Sequence, residues 1–191
     1  SFQRSTSPAL KSLDGTGCVI YVGSFSKSLF PGLRLGYLVA PAAFVQEARA
    51  LRSTVLRHPP GLIQRTAAHF LSLGHYDAQI NRMRKTYQRR RQTMAQALQE
   101  VGLAEAAPAT DGGSCFWLSA PDAVDTAELA RHLRRKGVVI EPGHPFFDSD
   151  APDRRHYRLA YSSIPSARIR RGVQLIAEEL EGAAAGPRPA T

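Results

Sequence analysis

The alternation of short apolar runs with longer helical stretches predicts a chain of mixed α and β structure. Short apolar runs bounded by glycine, proline or polar residues are typical of strands, and they occur at residues 18–22, 35–39, 114–118, 138–141 and 157–162. Helix start and stop signals between these runs predict helices at residues 41–52, 61–73, 76–101, 125–136 and 165–180. Because the first two strands are almost wholly apolar, we expect them to be buried.

The longest predicted helix, residues 76–101, carries one apolar stripe and one polar face. Spacings of three, four and seven residues draw the stripe, which consists of Tyr76, Ile80, Met83, Tyr87, Met94, Leu98 and Val101. The opposite face carries Arg82, Lys85, Arg89 and Gln92. We therefore expect the stripe to pack on a core and the polar face to be solvated.

The charge balance is strongly basic, since 25 Lys and Arg stand against 16 Asp and Glu, a net charge of +9. Such a balance raises the hypothesis of a nucleic-acid partner. The basic residues are spread along the chain, however, and neither zinc-finger spacing nor an RNA-binding aromatic pattern accompanies them. We interpret the cluster at Arg82–Arg91 as a solvated helix face in preference to a DNA-binding patch.

Targeting and metal signals are absent from the sequence pattern. No segment approaches the ~20 apolar residues of a membrane-spanning helix, and the N-terminus lacks a signal-peptide pattern, so we expect a cytoplasmic protein without a membrane partner. The chain starts at Ser1, which we interpret as a piece of a longer protein. Cys18 and Cys115 are expected to be buried, reduced thiols, with a disulfide the less favoured alternative. The histidines show no metal-ligand spacing, so no metal site is predicted.

Residues 23–36 concentrate polar chemistry between two apolar strands. Ser24 and Ser26 alternate along the chain, so in an extended segment their hydroxyls would lie on one side. Arg34 offers a planar fork of donors suited to phosphate, and Lys27 offers an amine of the kind that forms Schiff bases with carbonyl compounds. Together these groups suit a phosphate-bearing aldehyde such as pyridoxal phosphate. On spacing alone a solvated turn is an equal alternative, because Ser-x-Ser-Lys is a short motif.

Two of these stretches, Ser24-Phe25-Ser26-Lys27 and Pro31-Gly32-Leu33-Arg34-Leu35-Gly36, resemble the cofactor-lysine motif of the fold-type I pyridoxal-phosphate enzymes. Two further stretches, Arg57-His58-Pro59-Pro60 and the segment from Gly74 to Arg91, are similar to the aminotransferase-like domain of MocR-type (GntR-family) transcriptional regulators. The resemblance runs from about Pro8 to Leu180. The four stretches together are far more specific than the lysine motif alone.

The resemblance implies a fold class that runs from α/β to α+β. It is the C-terminal part of the fold-type I aminotransferase fold, with an incomplete large domain and a small α+β domain. Residues 1–75 would belong to the cofactor-binding large domain, residues 76–101 to a long connecting helix and residues 102–181 to the small domain. Residues 182–191 are small, polar and rich in proline, and we expect a disordered tail there.

The resemblance also assigns chemistry to the turn. It implies that Lys27 is the catalytic residue and holds pyridoxal 5'-phosphate as a Schiff base, while Ser24, Ser26 and Arg34 anchor the phosphate. An incoming amine would displace Lys27, which would then serve as general base and acid. The family's acid that pairs with the pyridine nitrogen would lie upstream of Ser1. We therefore expect this chain alone to have little catalysis.

Arg158 stands inside an apolar strand, where a charged group is costly unless it is paired. Position alone slightly favours a structural salt bridge to Glu141 or Asp153. The resemblance favours a bidentate grip on a substrate carboxylate, since Arg158 matches the carboxylate-binding arginine of fold-type I aminotransferases. For Phe146 and Phe147, a pocket wall and buried packing are equal alternatives.

Three functions are open at this stage. The first is the effector-sensing domain of a MocR-type regulator, with an amino acid or amino compound as ligand; the alternatives are a metabolic class I/II aminotransferase of amino acids and a non-catalytic remnant. The resemblance implies a homodimer, because fold-type I sites are completed across a subunit interface. DNA binding would need an N-terminal winged helix-turn-helix, which nothing in this chain resembles. The MocR-like stretches favour the first function.

Overall fold

The computed structural model describes three stretches of the chain: residues 8–103, 113–148 and 154–184. The described residues fall into two units, which divide between Arg84 and Lys85 inside the longest helix. The last helix continues to Ala184, into the segment 182–191 that we expected to be disordered. The remainder of that segment lies outside the described residues.

The first unit contains a two-stranded antiparallel hairpin followed by helices. Its strands and complete helices are β1 (Tyr21–Ser24), β2 (Gly36–Val39), α1 (Ala42–Val55) and α2 (Gly61–Ser72). The 26-residue helix α3 (His75–Glu100) then begins in the first unit and ends in the second. Gly74, which separates α2 from α3, has a φ of +72°, a left-handed conformation that glycine adopts without steric cost. The predicted order of these elements is confirmed.

The predicted burial of the first two strands is wrong. Val22 is 73% exposed and Val39 is 47% exposed, because β1 and β2 pair with each other and no third strand of the described chain joins them. Cys18 is exposed as well, so its expected burial is also wrong. Its backbone N–H donates to the Asp14 carboxylate in the loop before β1, at 3.1 Å. Cys115 is half-buried, and both thiols are free.

The second unit is an antiparallel sheet covered on one face by helices. Its elements are the C-terminal part of α3, β3 (Cys115–Ser119), α4 (Thr126–Arg135), β4 (Glu141–Pro142), β5 (His156–Ala160) and α5 (Ser166–Ala184). The strand order is β3-β5-β4, with Trp117 opposite Arg158 and Glu141 opposite Arg158 on the other side. This arrangement is the predicted α+β half of the chain.

Alternation along the strands separates a core face from an outer face. Residues of the inner face and of the three helices form a single buried cluster, which includes Met94, Leu98, Phe116, Leu118, Leu129, Leu133, Tyr157, Leu159, Tyr161, Ile169, Val173, Ile176 and Leu180. Each large apolar side chain in such a cluster contributes about 1.5–3 kcal/mol through its burial. Met94 and Leu98 confirm the C-terminal part of the predicted stripe on α3, and the opposite residues Lys85 and Arg89 are exposed.

The boundaries of α4 follow the predicted signals. The Asp125 carboxylate accepts hydrogen bonds from the backbone N–H of Ala127 (2.8 Å) and of Glu128 (3.4 Å), which caps the helix. Gly137 ends it with a φ of +79°. The following N–H, of Val138, donates back to the Leu133 carbonyl at 2.9 Å. Because this N–H closes the helix, β4 begins later than predicted.

No helix in the described stretches is both long enough and apolar enough to cross a membrane.

Candidate functional site

The segment that joins β1 to β2 turns sharply after Ser24. The Ser24 hydroxyl accepts a hydrogen bond from the Ser26 N–H at 3.1 Å, and the Leu29 N–H donates to the Phe25 carbonyl at 2.8 Å. These local bonds compete with strand pairing, so the segment is not extended after Ser24, and the alternation of the two serines does not by itself place their hydroxyls on one side. Lys27 instead lies on an exposed turn.

Two glycines allow the hairpin to close below this turn. A Cβ atom on Gly36 would lie 2.8 Å from the Gly23 carbonyl oxygen, and one on Gly23 would lie 2.2 Å from Cζ of Tyr37. Both distances are shorter than a real Cβ contact, so a side chain at Gly36 would force the backbone to shift, whereas one at Gly23 would force the Tyr37 ring to move. The close approach sets Ser24 directly opposite Gly36.

Arg34 leaves the turn in a left-handed backbone conformation. Its φ is +49°, and its N–H donates to the Pro31 carbonyl at 3.3 Å, which ends a single 3₁₀ turn over Pro31–Leu33. A non-glycine residue in this region is strained by about 1 kcal/mol. The neighbouring Leu33 side chain is buried while the Arg34 guanidinium is exposed. Burial of the Leu33 side chain therefore anchors the backbone from which the Arg34 side chain extends into solvent.

An aromatic group that sequence reasoning missed packs beside the turn. The Phe25 ring lies 5.3 Å from the Tyr37 ring and 5.9 Å from the Tyr76 ring, the latter edge to face. Tyr37 also contacts Tyr21, and a hydrogen bond with the Tyr21 phenol raises the Tyr37 pKa. The aromatic residues in the two predicted strands were the sequence signal from which this group could have been predicted. The group links the hairpin to the start of α3.

Asp14 organises the loop that leads into β1. Its carboxylate accepts hydrogen bonds from the Cys18 N–H (3.1 Å), the Val19 N–H (3.0 Å) and the Lys11 amine (2.8 Å). The hydrogen bond from Lys11, followed by that from Val19, holds the Asp14 pKa well below its usual range. The sequence signal for such side-chain bonding is an aspartate ahead of Gly-Thr-Gly, and it was not among the predicted features.

The predicted ligand arginine, Arg158, lies on the outer face of the second unit's sheet. Its Nη2 donates to Oε1 of Glu141 at 2.6 Å, and this contact raises the pKa of the guanidinium. Phe146 lies under the guanidinium, with 5.5 Å between Cζ and the ring centroid. The Arg158 Nε is buried without a hydrogen-bond partner. The salt-bridge alternative with Glu141 is thus present, and Asp153 lies outside the described residues.

An aromatic cluster borders Arg158 on the same face. Trp117 stacks on His156 with ring centroids 5.7 Å apart and an interplanar angle of 10°, and it also contacts Phe146 and Phe147. Phe146 and Phe147 are 53% and 43% exposed. Buried packing is therefore wrong for this pair, which lies on an open surface beside the arginine.

A cavity of about 710 Å³ opens beside Glu141 and Arg158 within the second unit. Its lining includes three further cationic side chains, those of Lys136, Arg168 and Arg171. Glu141 is the one carboxylate among the residues that line it in the described part of the chain. Lys136 pairs with Glu179 and Arg171 with Glu178, so Arg168 is the further lining cation that has no ion-pair partner among the described residues and favours an anionic ligand.

The structure places the predicted site residues in two groups. Ser24, Ser26, Lys27 and Arg34 share the β1–β2 connection of the first unit, whereas Arg158 belongs to the second unit. No hydrogen bond or ion pair joins the Lys27 amine to any residue in the described part of the chain. That amine is consequently open to a ligand.

Comparison with known proteins places these features in a family context. Residues 4–176 match the family described as aminotransferase class I and II. The HTH-type transcriptional regulator TauR of Rhodobacter capsulatus is 60% identical over 180 residues, which cover 94% of this chain and 37% of that protein. The probable rhizopine catabolism regulatory protein MocR of Rhizobium meliloti is 31% identical over 169 residues, or 87% of this chain and 34% of that protein.

A solved structure supports the same fold. LysN, an α-aminoadipate aminotransferase from Thermus thermophilus complexed with N-(5'-phosphopyridoxyl)-L-leucine, matches with a TM-score of 0.86 and 30% identity. The match covers 96% of this chain and 48% of LysN. The chain thus spans less than half the length of these relatives. The predicted resemblance and the partial aminotransferase fold are confirmed.

Proposed function

Because the chain belongs to the aminotransferase class I and II family, we propose that it is the pyridoxal-phosphate-binding, effector-sensing domain of a MocR-type transcriptional regulator. The observation that carries this proposal is the 60% identity with the regulator TauR, which is twice the 30% identity with the aminotransferase LysN. Effector binding would shift the arrangement of attached DNA-binding domains. A metabolic aminotransferase is the second candidate, supported by the LysN match.

The donor set of the β1–β2 turn fits pyridoxal phosphate. Lys27 presents an unpaired amine that would hold the aldehyde carbon covalently, and Arg34 presents an exposed fork of donors for the phosphate. The Ser24 hydroxyl accepts from Ser26 and still has its own hydrogen to donate to a phosphate oxygen. The Ser26 hydroxyl would donate in the same way. When bound, the cofactor supplies an electron sink next to the ligand's amine.

The ligand in this proposal is an amino acid or a similar amino compound. Arg158 would bind its carboxylate, because a guanidinium makes strong, directional hydrogen bonds to carboxylates. The Lys27 amine, once released, would move a proton at the ligand's α-carbon. Support for the anionic end of the ligand comes from the cationic lining of the cavity beside Arg158.

The wider assembly is also part of the proposal. Relatives at more than twice this length include transcriptional regulators, so a DNA-binding region would belong to the full-length protein. A homodimer belongs to the proposal because the resemblance implies a site that is completed across a subunit interface. We further propose that the protein acts in the cytoplasm. Gel-shift binding of promoter DNA by the full-length protein, with and without amino compounds, measures the regulatory role directly.

Trapping of the cofactor tests the central assignment. Full-length protein is titrated with pyridoxal phosphate, reduced with borohydride and mapped by peptide mass. We expect an imine absorbance band and a label on Lys27. Lys27→Ala should lose the label, while the matched control Lys85→Ala, at an exposed position on α3, should keep it. An adduct at wild-type yield in Lys27→Ala contradicts the assignment.

Turnover separates the candidate functions. Steady transamination by the full-length protein, followed as keto acid formed from amino acids, would favour the metabolic aminotransferase. A folded protein that shows no spectral change with the cofactor would favour a non-catalytic remnant. Cofactor binding without sustained turnover is the result expected for the effector-sensing domain.

A further inference from the structure

Glu141 forms an ion pair with Arg158, the arginine that the proposed function assigns to a ligand carboxylate. The two residues face each other directly across the β4–β5 pairing. Oε1 of Glu141 accepts from Nη2 of Arg158 at 2.6 Å, and this is their single hydrogen bond. A bidentate carboxylate would use two guanidinium nitrogens. Glu141 therefore occupies Arg158 in part, and the buried Nε is left without a partner.

The contact is weak enough to be displaced. The Arg158 side chain is 35% exposed and that of Glu141 is 47% exposed. Ion pairs with this degree of solvent access contribute little net stabilisation. A ligand carboxylate that bonds bidentately gains more than Glu141 loses, since Glu141 can be solvated in the open cavity.

The surroundings favour a carboxylate at this place. The cavity beside Arg158 is lined by the cations Lys136, Arg168 and Arg171. Lys136 and Arg171 pair with Glu179 and Glu178 from outside the lining, so Arg168 is the cation of these three that has no ion-pair partner in the described part of the chain. A second carboxylate at Arg158 would meet this cation and one like charge, that of Glu141. The Phe146 ring lies under the guanidinium, and this cation–π contact helps to position the Arg158 side chain.

We propose that Glu141 is a built-in competitor for Arg158, and that an incoming ligand carboxylate binds by displacing it. This inference rests on the ligand role proposed for Arg158 and is independent of the cofactor role proposed for Lys27. Glu141 thereby lowers the affinity of the site for every carboxylate ligand. It sets the ligand concentration at which the domain responds.

Trp117 supplies a local reporter for the test. It is the one tryptophan in the chain, it lies opposite Arg158 on β3, and it contacts Phe146, which lies under the guanidinium. Tryptophan fluorescence of the full-length protein is titrated with acetate and, in parallel, with acetamide. A Trp117→Phe variant identifies the part of the signal that comes from this residue. Neither probe has an amine, so neither reaction with the cofactor nor Lys27 enters the measurement.

The expected result is tighter acetate binding when the competitor loses its charge. Glu141→Gln should lower the acetate dissociation constant by roughly two- to fivefold, with no response to acetamide. The matched control Glu128→Gln removes a carboxylate from an exposed ion pair with Arg131 and should behave as wild type. Arg158→Gln and the double variant should both lose the response.

Several outcomes overturn the inference. Equal or weaker acetate binding in Glu141→Gln would show that Glu141 positions Arg158 and does not compete for it. An acetate response that survives in Arg158→Gln would show that Arg158 is not the ligand site. Absence of any response in Glu141→Gln, where Arg158 is unoccupied, would do the same. Borohydride labelling of Lys27 is read separately, so failure of the cofactor assignment and failure of this inference are distinguishable.

Discussion

Tyr37 lies with its ring against the backbone of Gly23, directly across the β1–β2 hairpin. The two residues are register partners, and a methyl group on Gly23 would fall 2.2 Å from Cζ of the tyrosine. The ring also contacts Phe25, the residue that opens the turn carrying Lys27. The absence of a side chain at Gly23 thus decides how closely the hairpin closes beneath the proposed cofactor lysine.

The two hairpin glycines should differ in their tolerance of alanine. In Gly23→Ala the obstacle is a half-exposed ring that can swing away, so we expect a loss of about 1 kcal/mol in unfolding free energy. In Gly36→Ala the obstacle is the Gly23 carbonyl oxygen at 2.8 Å, and backbone must move, so we expect about 2–3 kcal/mol. Denaturant unfolding of the full-length protein measures both.

A control and a rescue accompany this comparison. Gly172→Ala adds a methyl group to α5 where nothing lies within 4 Å, so it should be neutral or stabilising by up to about 1 kcal/mol. Removal of the ring in Gly23→Ala/Tyr37→Ala should offset part of the Gly23→Ala loss. A Gly36→Ala protein as stable as wild type would show that the hairpin does not close as described.

Replacement of Arg34 by glycine should raise the stability of the protein and weaken its binding of the cofactor. Arg34→Gly relieves the left-handed backbone and should stabilise the protein by up to about 1 kcal/mol. The same change removes the proposed phosphate donor and should weaken pyridoxal phosphate binding at least several-fold. Thermal unfolding and absorbance titration give the two values.

Arg57 offers the matched control for Arg34. It is the other non-glycine residue with positive φ in the described chain, at +58°. Arg57→Gly should also stabilise the protein but leave cofactor affinity unchanged. Equal weakening of the cofactor by both variants would argue against a phosphate role for Arg34.

Asp14 should contribute stability that depends on pH. The pKa of the Asp14 carboxyl is lower in the folded state than its unfolded value near 3.8. The stability that this carboxylate contributes is therefore fully present above the unfolded pKa and is lost as the pH falls below that value toward the folded-state pKa. Asp14→Asn should therefore lower the melting temperature at pH 7, and the gap from wild type should narrow toward pH 3. Melting curves across this range test the sign.

Asp122 provides the comparison for this acid effect. It forms an exposed pair with Arg155, and its side chain is 82% exposed, so Asp122→Asn should change the melting temperature little at any pH. A gap between Asp14→Asn and wild type that widened on acidification would contradict the proposed role of the Asp14 carboxylate.

The Asp125 cap of α4 should contribute measurably to the unfolding free energy of the second unit. Asp125→Ala removes the acceptor for two backbone N–H groups and the partner of Arg154. We expect a loss of about 1 kcal/mol, typical of an N-cap. Asp125→Asn keeps a capping oxygen and should lose much less, whereas equal losses would assign the effect to the ion pair.

Local signals predicted most of the elements. Helix starts and stops such as Asp125 and Gly137 act within a few residues of the chain, and the structure uses both as predicted. The predictions that were wrong concerned burial and strand length. Burial of β1 and β2 depends on what packs against them, and the length of β4 depends on whether Val138 closes the preceding helix, so neither follows from an apolar run alone.

By itself, the sequence determined the order of helices and strands and the chemistry available at Lys27, because both depend on residues adjacent in the chain. Tertiary structure decided the state of Arg158. Its partner Glu141 is 17 residues away, and its aromatic neighbours come from separate strands and loops. Strand register brings these groups onto one face, and register depends on the packing of the opposite face against the core.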